Sequence, residues 1–356
     1  MLPTTEWFNS ELKAELGLTD TRRVINIRTY SIGDGYAAST HRIELKYNEN
    51  SLNDILSVIV KSPIEDNSVL EIAQINGIYE REIEFYRTMA DSSVAVGIPH
   101  CYYTDYDANS GDFLLILEDL SSLTPGNHHT SRPIHEIKDV FRAYGRMHHA
   151  FSSIPKLRQS IFVAKPGNSR FIRRQMQQLL NPMTEKLKQY MGSTTRDRIL
   201  QQLTHFEKLY EYSKQAPHAT LTHGDAHQAN IMFAENGGEP VVIDWQLARF
   251  GIGMEDIARF LLLSTEPEFR RDHANELIEA YSDELSAVGS AVTFSECQAD
   301  YLPMLALHAC MSLLIVGAAD FTQSEEQQQT GEKLCTRLVA VIDELETEAT
   351  KLSIWT

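Results

Sequence analysis

The sequence predicts an α+β protein of two lobes, a β-rich N-lobe with one main helix followed by a larger helical C-lobe. Three observations predict it. The chain has 356 residues, too many for one ordinary small domain and enough for two. Alternating strand-like segments dominate up to a polar stretch at Ser121 to Pro133, and helical periodicity dominates after it. One short β-like island, Ala219 to Trp245, interrupts the helical part. Hydrophobic residues at 42% and charged residues at 23% are a globular composition, not a disordered one.

The elements follow in order. Glu6 to Leu16 reads as a short amphipathic helix. Val24 to Tyr30 alternates, Tyr36 to Tyr47 alternates with Ile43, Leu45 and Tyr47 on one face, and Ile55 to Lys61 is a β-branched run. Gly33 and Gly35 punctuate the first two strands. Val69 to Met89 carries Ile72, Ile75, Tyr79, Ile83 and Tyr86 at helical spacing. His100 to Thr104 and Phe113 to Leu117 read as two more strands. Ser121 to Pro133 reads as a connector, and helices are expected at Ile134 to Phe151, Arg170 to Tyr190 and Thr195 to Ser213, then again after the island. The expected division is an N-lobe over 1–120, a connector over 121–133 and a C-lobe over 134–356.

Lys plus Arg total 32 and Asp plus Glu 49, a formal charge of −17. Such a chain repels nucleic acid and anionic lipid, so neither a nucleic-acid partner nor a membrane is expected. The N-terminal stretch lacks the basic start and apolar core of a signal peptide. The longest apolar run, Ile257 to Leu263, is short and broken by Arg259, so no membrane span is expected. Cys101, Cys297, Cys310 and Cys335 are far apart with no zinc spacing, and read as buried free thiols. With no Asn-x-Ser/Thr sequon, these features point to a reducing cytoplasm.

The island carries the strongest chemical signal, Leu221-Thr-His-Gly-Asp-Ala-His-Gln-Ala-Asn-Ile-Met-Phe followed by Val241-Val-Ile-Asp-Trp. Phosphoryl transfer needs a carboxylate to receive or orient the proton of the attacking hydroxyl, here Asp225. It also needs oxygen ligands for Mg²⁺, here Asn230 and Asp244. Each piece alone is bland: His-Gly-Asp is short, an Asp after a strand is often a turn former, and His227 alone reads as a structural residue. All of them in this order, with Gly251 and Asp256 opening a helix beyond, read as a catalytic loop.

The N-lobe holds the partners this chemistry requires. Gly33-Asp-Gly-Tyr-Ala-Ala-Ser39 lies between two strands, where glycines at 33 and 35 would let backbone amides approach phosphate, although a plain β-turn explains it equally well. Lys61 ends the third strand, where a kinase needs a Lys for the nucleotide phosphates and a helix Glu to hold it. Glu82 is the first choice for that partner and Glu84 the reserve; two residues apart on a helix, they cannot share one face. Leu114-Leu-Ile-Leu-Glu118-Asp119-Leu120 fits a hinge whose backbone would hydrogen-bond an adenine.

These residues together resemble the aminoglycoside phosphotransferase and choline kinase superfamily. IGDGYAAS, REIEFY, LILEDL and the Trp-Gln after Asp244 lean to its ecdysteroid-kinase-like (CHK-kinase-like) branch, and the likeness runs from about Arg22 past Phe260. The resemblance implies a protein-kinase-like bilobal fold that phosphorylates a small molecule with ATP and Mg²⁺. It makes Asp225 the catalytic base, Asn230 and Asp244 the metal ligands, and His223 a stiffener of the loop. Asp256 becomes a structural anchor, Lys61 and Glu82 the holders of the phosphates, and Glu118 to Leu120 the hinge. Asp244-Trp-Gln stands where protein kinases have Asp-Phe-Gly, and His223-Gly-Asp where they have His-Arg-Asp, which sets the chain apart from protein kinases. The alternative is a nucleotide- or metabolite-binding pseudokinase without turnover. The acceptor stays open between a cation and an apolar alcohol, with the branch favouring the latter. Its pocket is expected to be lined by the Arg170 to Tyr212 helices and the Tyr301 to Phe321 segment, with Met304, His308, Met311 and Leu314 read as core. ATP versus GTP and the oligomeric state are not legible in the sequence.

Overall fold

The computed structural model describes residues 2–34, 38–52, 54–64, 77–90, 97–159, 161–163, 167–235 and 237–348. The chain divides into two compact units. The first comprises Met1–Thr124 together with Val241–Leu247, and the second Pro125–Pro240 together with Ala248–Thr356.

The first unit is built on a five-stranded antiparallel sheet with strand order β1-β2-β3-β5-β4, comprising β1 (Val24–Asp34), β2 (Ala38–Tyr47), β3 (Ser57–Pro63), β4 (Cys101–Tyr106) and β5 (Phe113–Glu118). The alternation in β2 places Ile43, Leu45 and Tyr47 on the buried face, where Val58 and Val60 of β3 join them. Helix α1 (Thr5–Glu11) starts on Thr4, whose hydroxyl accepts from the Trp7 N–H at 3.2 Å. It lays Phe8 on that face, and Leu12, Leu16 and Leu18 follow in turns, so the helix is shorter than its apolar pattern suggested. Strand β1 continues to Asp34 through Gly33, with a register shift between Ser31 and Gly33. Helix α2 (Ile78–Ala90) buries Tyr79, Glu82, Ile83, Phe85, Tyr86 and Met89. The earlier part of the expected helix, with Ile72 and Ile75, lies outside the described residues, as does Gly35.

The second unit is helical, with α3 (Ile134–Ser152), α4 (Asn168–Gln178), α5 (Leu180–Met191), α6 (Thr195–Thr204), α7 (Phe206–Gln215), α8 (Met254–Ser264), α9 (Pro267–Ala287), α10 (Phe294–Ala318) and α11 (Glu325–Thr347). The helix expected over Arg170 to Tyr190 is two, broken at Leu179, and the next is two, broken at His205. The two residues have ψ of 6° and −7°, so the axis changes direction while the apolar spacing runs on. Thr220–Thr222 of the island pairs antiparallel with Arg249–Gly251, just beyond its end.

Helix α10 corrects the expectation that no segment is long and apolar enough to span a bilayer. Its 25 residues pass that test by length and composition. Glu296, Asp300 and His308 interrupt this helix, so it contains no long unbroken apolar run. Within the protein, 67% of its apolar window is buried, with Met304, Leu305, His308 and Leu313 fully enclosed and Met311 and Leu314 half-buried. A Thr293/Glu296 capping box starts it. Cys297, Cys310 and Cys335 are buried and Cys101 half-buried, all as free thiols. Burial pushes the thiols of Cys101, Cys297 and Cys310 up to about 12 and that of Cys335 to about 11, so they are protonated and unreactive at neutral pH.

Candidate functional site

The first cluster of candidate residues belongs to the first unit. Strand β3 sets Lys61 opposite Thr40 of β2 and Leu115 of β5, in the middle of the sheet. Its ammonium lies 2.7 Å from Glu82 Oε1 and 2.8 Å from Asp244 Oδ1. Glu84, two residues on, accepts instead from the Thr88 hydroxyl at 3.5 Å, as helical geometry requires. Burial opposes the charge on Lys61, but the Asp244 and Glu82 carboxylates hold the ammonium above its ordinary range. Burial pushes Glu82 upward, against the pull of Lys61 and reinforced by the Asp244 carboxylate.

Asp244 has φ 69°, the one non-glycine with positive φ among the described residues. A short carboxylate side chain tolerates that left-handed backbone, and such strain persists only where the surroundings enforce it. Trp245 enforces it. Its ring stacks on Phe85 of α2 with centroids 4.0 Å apart and planes 8° apart, and its indole N–H donates to the Val242 carbonyl at 3.1 Å. Gln246 donates to Asp244 Oδ2 at 3.2 Å. The Trp-Gln that departs from the protein-kinase pattern thus packs and orients Asp244.

At the end of β5, the Glu118 carboxylate accepts from the His100 N–H at 3.1 Å, and the Leu120 carbonyl accepts from the Leu123 N–H at 2.9 Å. Between them Asp119 is tied down by Ser57 Oγ at 2.6 Å, Arg42 Nε at 2.9 Å and the Ser121 N–H at 3.0 Å. Burial alone would raise this carboxyl; the Ser57 and Ser121 bonds and Arg42 bring it below its ordinary value. Gly33 pairs with Thr40, and Ser39 is half-buried opposite Asp34 and Ser62.

The second cluster belongs to the second unit. The chain leaves Thr222 and turns through Gly224, whose φ of 80° suits a glycine, to present Asp225. Asp256, in the first turn of α8, accepts from the backbone N–H of His223 at 2.7 Å and of Gly224 at 2.9 Å, and from His148 Nε2 at 3.1 Å. His148 Nδ1 lies 2.9 Å from the Tyr281 hydroxyl, so the imidazole bridges Asp256 and Tyr281. His223 is buried, and its Nδ1 accepts from the Asp225 N–H at 3.2 Å.

The Asp225 carboxylate forms a buried ion pair with Arg259 of α8 and lies 3.6 Å from His227 Nε2. Burial opposes its ionisation, yet Arg259 first and the neighbouring histidines after it hold it well below the ordinary carboxylate range. Asn230 spends its amide nitrogen on the Asp225 carbonyl at 3.0 Å, which leaves its amide oxygen for an acceptor role. A cavity of about 260 Å³ includes Asp225 in its wall. From the segment expected to line an acceptor pocket, Ile315 and Phe321 contribute to it; the Arg170 to Tyr212 helices do not, and α11 supplies Lys333 and Arg337. A second cavity of about 290 Å³, bordered by His148, His218 and Asp300, does not include Asp225.

In the sequence Arg259 stands out only as a charge that breaks an apolar run. The signal was there, because an Arg inside a buried helix requires an anionic partner. Among the described residues no three His, Cys, Asp or Glu side chains form a metal cage. Magnesium held partly by nucleotide phosphates needs no such cage.

The sequence model of the ecdysteroid kinase-like family matches residues 32–293. The chain belongs to this family. Three solved structures share its fold throughout. The choline kinase of Cryptosporidium parvum Iowa II aligns at 12% identity over 92% of this chain and 93% of that one, TM-score 0.58. A putative aminoglycoside phosphotransferase of Ralstonia eutropha JMP134 aligns at 15% identity over 96% and 97%, TM-score 0.55. Spectinomycin phosphotransferase, solved with ADP and spectinomycin, aligns at 13% identity over 97% and 100%, TM-score 0.54. No curated protein matches the chain in sequence. This ecdysteroid kinase-like chain therefore has the α+β, protein-kinase-like fold of small-molecule kinases, an antiparallel sheet region followed by a larger helical part.

Proposed function

We propose that this ecdysteroid kinase-like chain is a phosphotransferase that moves the γ-phosphoryl group of ATP to a hydroxyl of a small organic acceptor, with Mg²⁺. The observation that carries this reading is Lys61, whose ammonium lies 2.7 Å from Glu82 and 2.8 Å from Asp244, residues 21 and 183 positions away. A buried ammonium shared by two carboxylates is costly for a fold alone and is what nucleotide phosphates and a cation need.

In this reading Lys61, oriented by Glu82, presents its charge to phosphate oxygens. Asn230 and Asp244 are the Mg²⁺ ligands, and the hard oxygen donors they offer suit that ion. When bound, the metal supplies charge neutralisation on the transferring phosphate. Gly33 and Ser39, on the two strands that flank the β1–β2 connection, are the groups proposed to approach the phosphates, with Gly35 of the same motif outside the described residues; Glu118 and Leu120 bracket the backbone that receives the adenine. Asp225 accepts a hydrogen bond from the acceptor hydroxyl, aims its oxygen, and takes the proton as the new P–O bond forms and the bond to ADP breaks. With its carboxyl held low by Arg259, Asp225 is a weak base, which suits a loose transition state in which the proton leaves late. His223 keeps the loop stiff.

The test is Asp225→Asn. Purified protein is incubated with ATP–Mg²⁺ and a pool of hydroxylated metabolites and antibiotics, and the gain of one phosphoryl group is read by mass spectrometry. The wild type modifies a compound; the variant loses at least about a thousand-fold of the rate while still binding AMP-PNP. Unchanged turnover in the variant sinks the assignment, and wild-type nucleotide binding without transfer to any compound makes the chain a binding module instead.

A further inference from the structure

We infer that the acceptor pocket selects an organic anion, a hydroxylated compound carrying an acid group on a partly apolar body, and rejects cations such as amino alcohols. The inference rests on the kinase reading for its hydroxyl, and on the pocket's own chemistry for its acid group.

The cavity of about 260 Å³ has one carboxylate in its wall, Asp225, and that is already paired with Arg259. The other charged lining groups, Lys333 and Arg337, are cations, presented from α11. A net charge of −17 for the chain makes this a local reversal of sign. The two terminal nitrogens of Arg337 are held by Glu266 at 3.0 Å and by backbone carbonyls. Lys333 is different. It donates to the His129 carbonyl, its nearest carboxylate, Glu266, is 3.7 Å away, and its side chain is 36% exposed. Arg259 pairs with Asp225, while Arg337 and Lys333 share the single Glu266, so three cations face two carboxylates and the more distant, part-exposed Lys333 carries the excess charge.

The hydrogen-bonding inventory points the same way. Arg259 Nε and Arg337 Nε are buried donors on lining residues without a hydrogen-bond partner. The lining side chains able to accept are the Asp225 carboxylate, the Thr330 hydroxyl and one ring nitrogen of each neutral imidazole, against the donors of two guanidinium groups and an ammonium. His128, whose ring lies beside that of His227 with centroids 4.8 Å apart, is pushed down to about 4 by burial, so it stays neutral at pH 7 and leaves the charge of the pocket to Lys333, Arg337, Arg259 and Asp225. Donors in excess want a ligand rich in acceptors, and an ammonium entering here would meet Lys333, Arg337 and Arg259 with no free carboxylate. Leu263, Ile315, Phe321 and Leu334 supply an apolar wall for the rest of the ligand. An acceptor held with its acid on Lys333 offers its other end, the hydroxyl, to Asp225.

The test uses a matched series of ω-hydroxyoctanoate, ω-hydroxyoctanamide and ω-amino-octanol. Binding to full-length protein saturated with AMP-PNP–Mg²⁺ is measured by calorimetry, and phosphorylation with ATP–Mg²⁺ is measured by mass. The acid binds about ten-fold tighter than the amide, and the amine binds weakest. Lys333→Glu removes the preference for the acid and improves the amine, while AMP-PNP affinity and melting temperature stay at wild-type values. Lys333→Met, which keeps the stem without the charge, brings acid and amide level. Equal affinities across the wild-type series, tighter binding of the amine, an order untouched by Lys333→Glu, or no binding of any of the three overturns the inference. Lys333-dependent binding of the acid without phosphorylation upholds the pocket and counts against the kinase reading. Transfer to the amine in preference to the acid does the reverse.

Discussion

Replacing Arg259 by Met removes the charge next to Asp225 and keeps most of the buried stem. The side chains are 7% and 16% exposed, so the pair sits in a region where water cannot substitute for the lost partner. Breaking a buried pair from one side costs about 3–5 kcal/mol; the lower end applies here because His227, 3.6 Å away, still faces the carboxylate. With an unfolding entropy of about 2.1 cal/mol/K per residue, the 356-residue chain has about 0.75 kcal/mol/K, and about 3 kcal/mol lowers Tm by about 4 °C. The assay is a cycle of Arg259→Met, Asp225→Asn and the double variant, followed by denaturant unfolding, and it needs no substrate. Once Arg259 has gone, Asp225→Asn costs almost nothing further or restores stability, so the double variant lies about 2–3 kcal/mol above the sum of the singles. The sign with pH follows from the depressed carboxyl. Its contribution is fully present above the ordinary 3.8 and is lost as pH falls below that, so the Arg259→Met penalty is full at pH 7 and fades in strong acid. Additivity of the two substitutions to within about 0.5 kcal/mol would refute the argument that Arg259 is what keeps Asp225 ionised.

Two further predictions concern other buried charges. Lys61→Met leaves Glu82 and Asp244 without their shared cation; unfolding should show a loss of about 3–5 kcal/mol, and AMP-PNP binding should weaken by more than about ten-fold. Adding Glu82→Gln should recover much of that stability and none of the nucleotide binding, and recovery of both would refute a phosphate-holding role for Lys61. His308 is fully buried with neither ring nitrogen hydrogen-bonded, and burial pushes it from 6.5 down to about 3. The unfolded chain therefore takes up this proton first, and stability falls as pH drops from 6.5 toward 3, by about 2 kcal/mol at pH 5. His308→Leu should remove that part of the slope, and an unchanged slope in denaturation between pH 7 and pH 5 would count against it.

Much of the fold was legible because its signals are local. The alternation in β2 and β3, the apolar spacing of α2 and the β-like island all reflect backbone geometry meeting a buried face within a few residues. The breaks at Leu179 and His205 were not legible, since a helix that changes direction keeps its apolar spacing when both halves face the same core. The acid, amide and second acid at 225, 230 and 244 stand out in the sequence by type and order as candidates for a phosphoryl-transfer loop, the role proposed for them above. Their partners were less legible. Glu82 was the first choice and Glu84 the reserve, and the direction in which α2 presents its side chains is what puts Glu82 against Lys61.

By itself, the sequence determined the antiparallel sheet region, the larger helical part and the chain's place among ecdysteroid kinase-like proteins, all of which rest on contiguous patterns. Tertiary structure alone decided which charges meet. Arg259 reaches Asp225 across 34 positions, Lys61 reaches Asp244 across 183, and α11 brings Lys333 into the wall beside Asp225. The physical reason is that a charge is tolerated in a buried place only if its partner arrives there too, and where the partner comes from is a property of the packing rather than of either segment. A chain with an overall excess of acid thus carries a pocket of the opposite sign, which no sum over its composition contains.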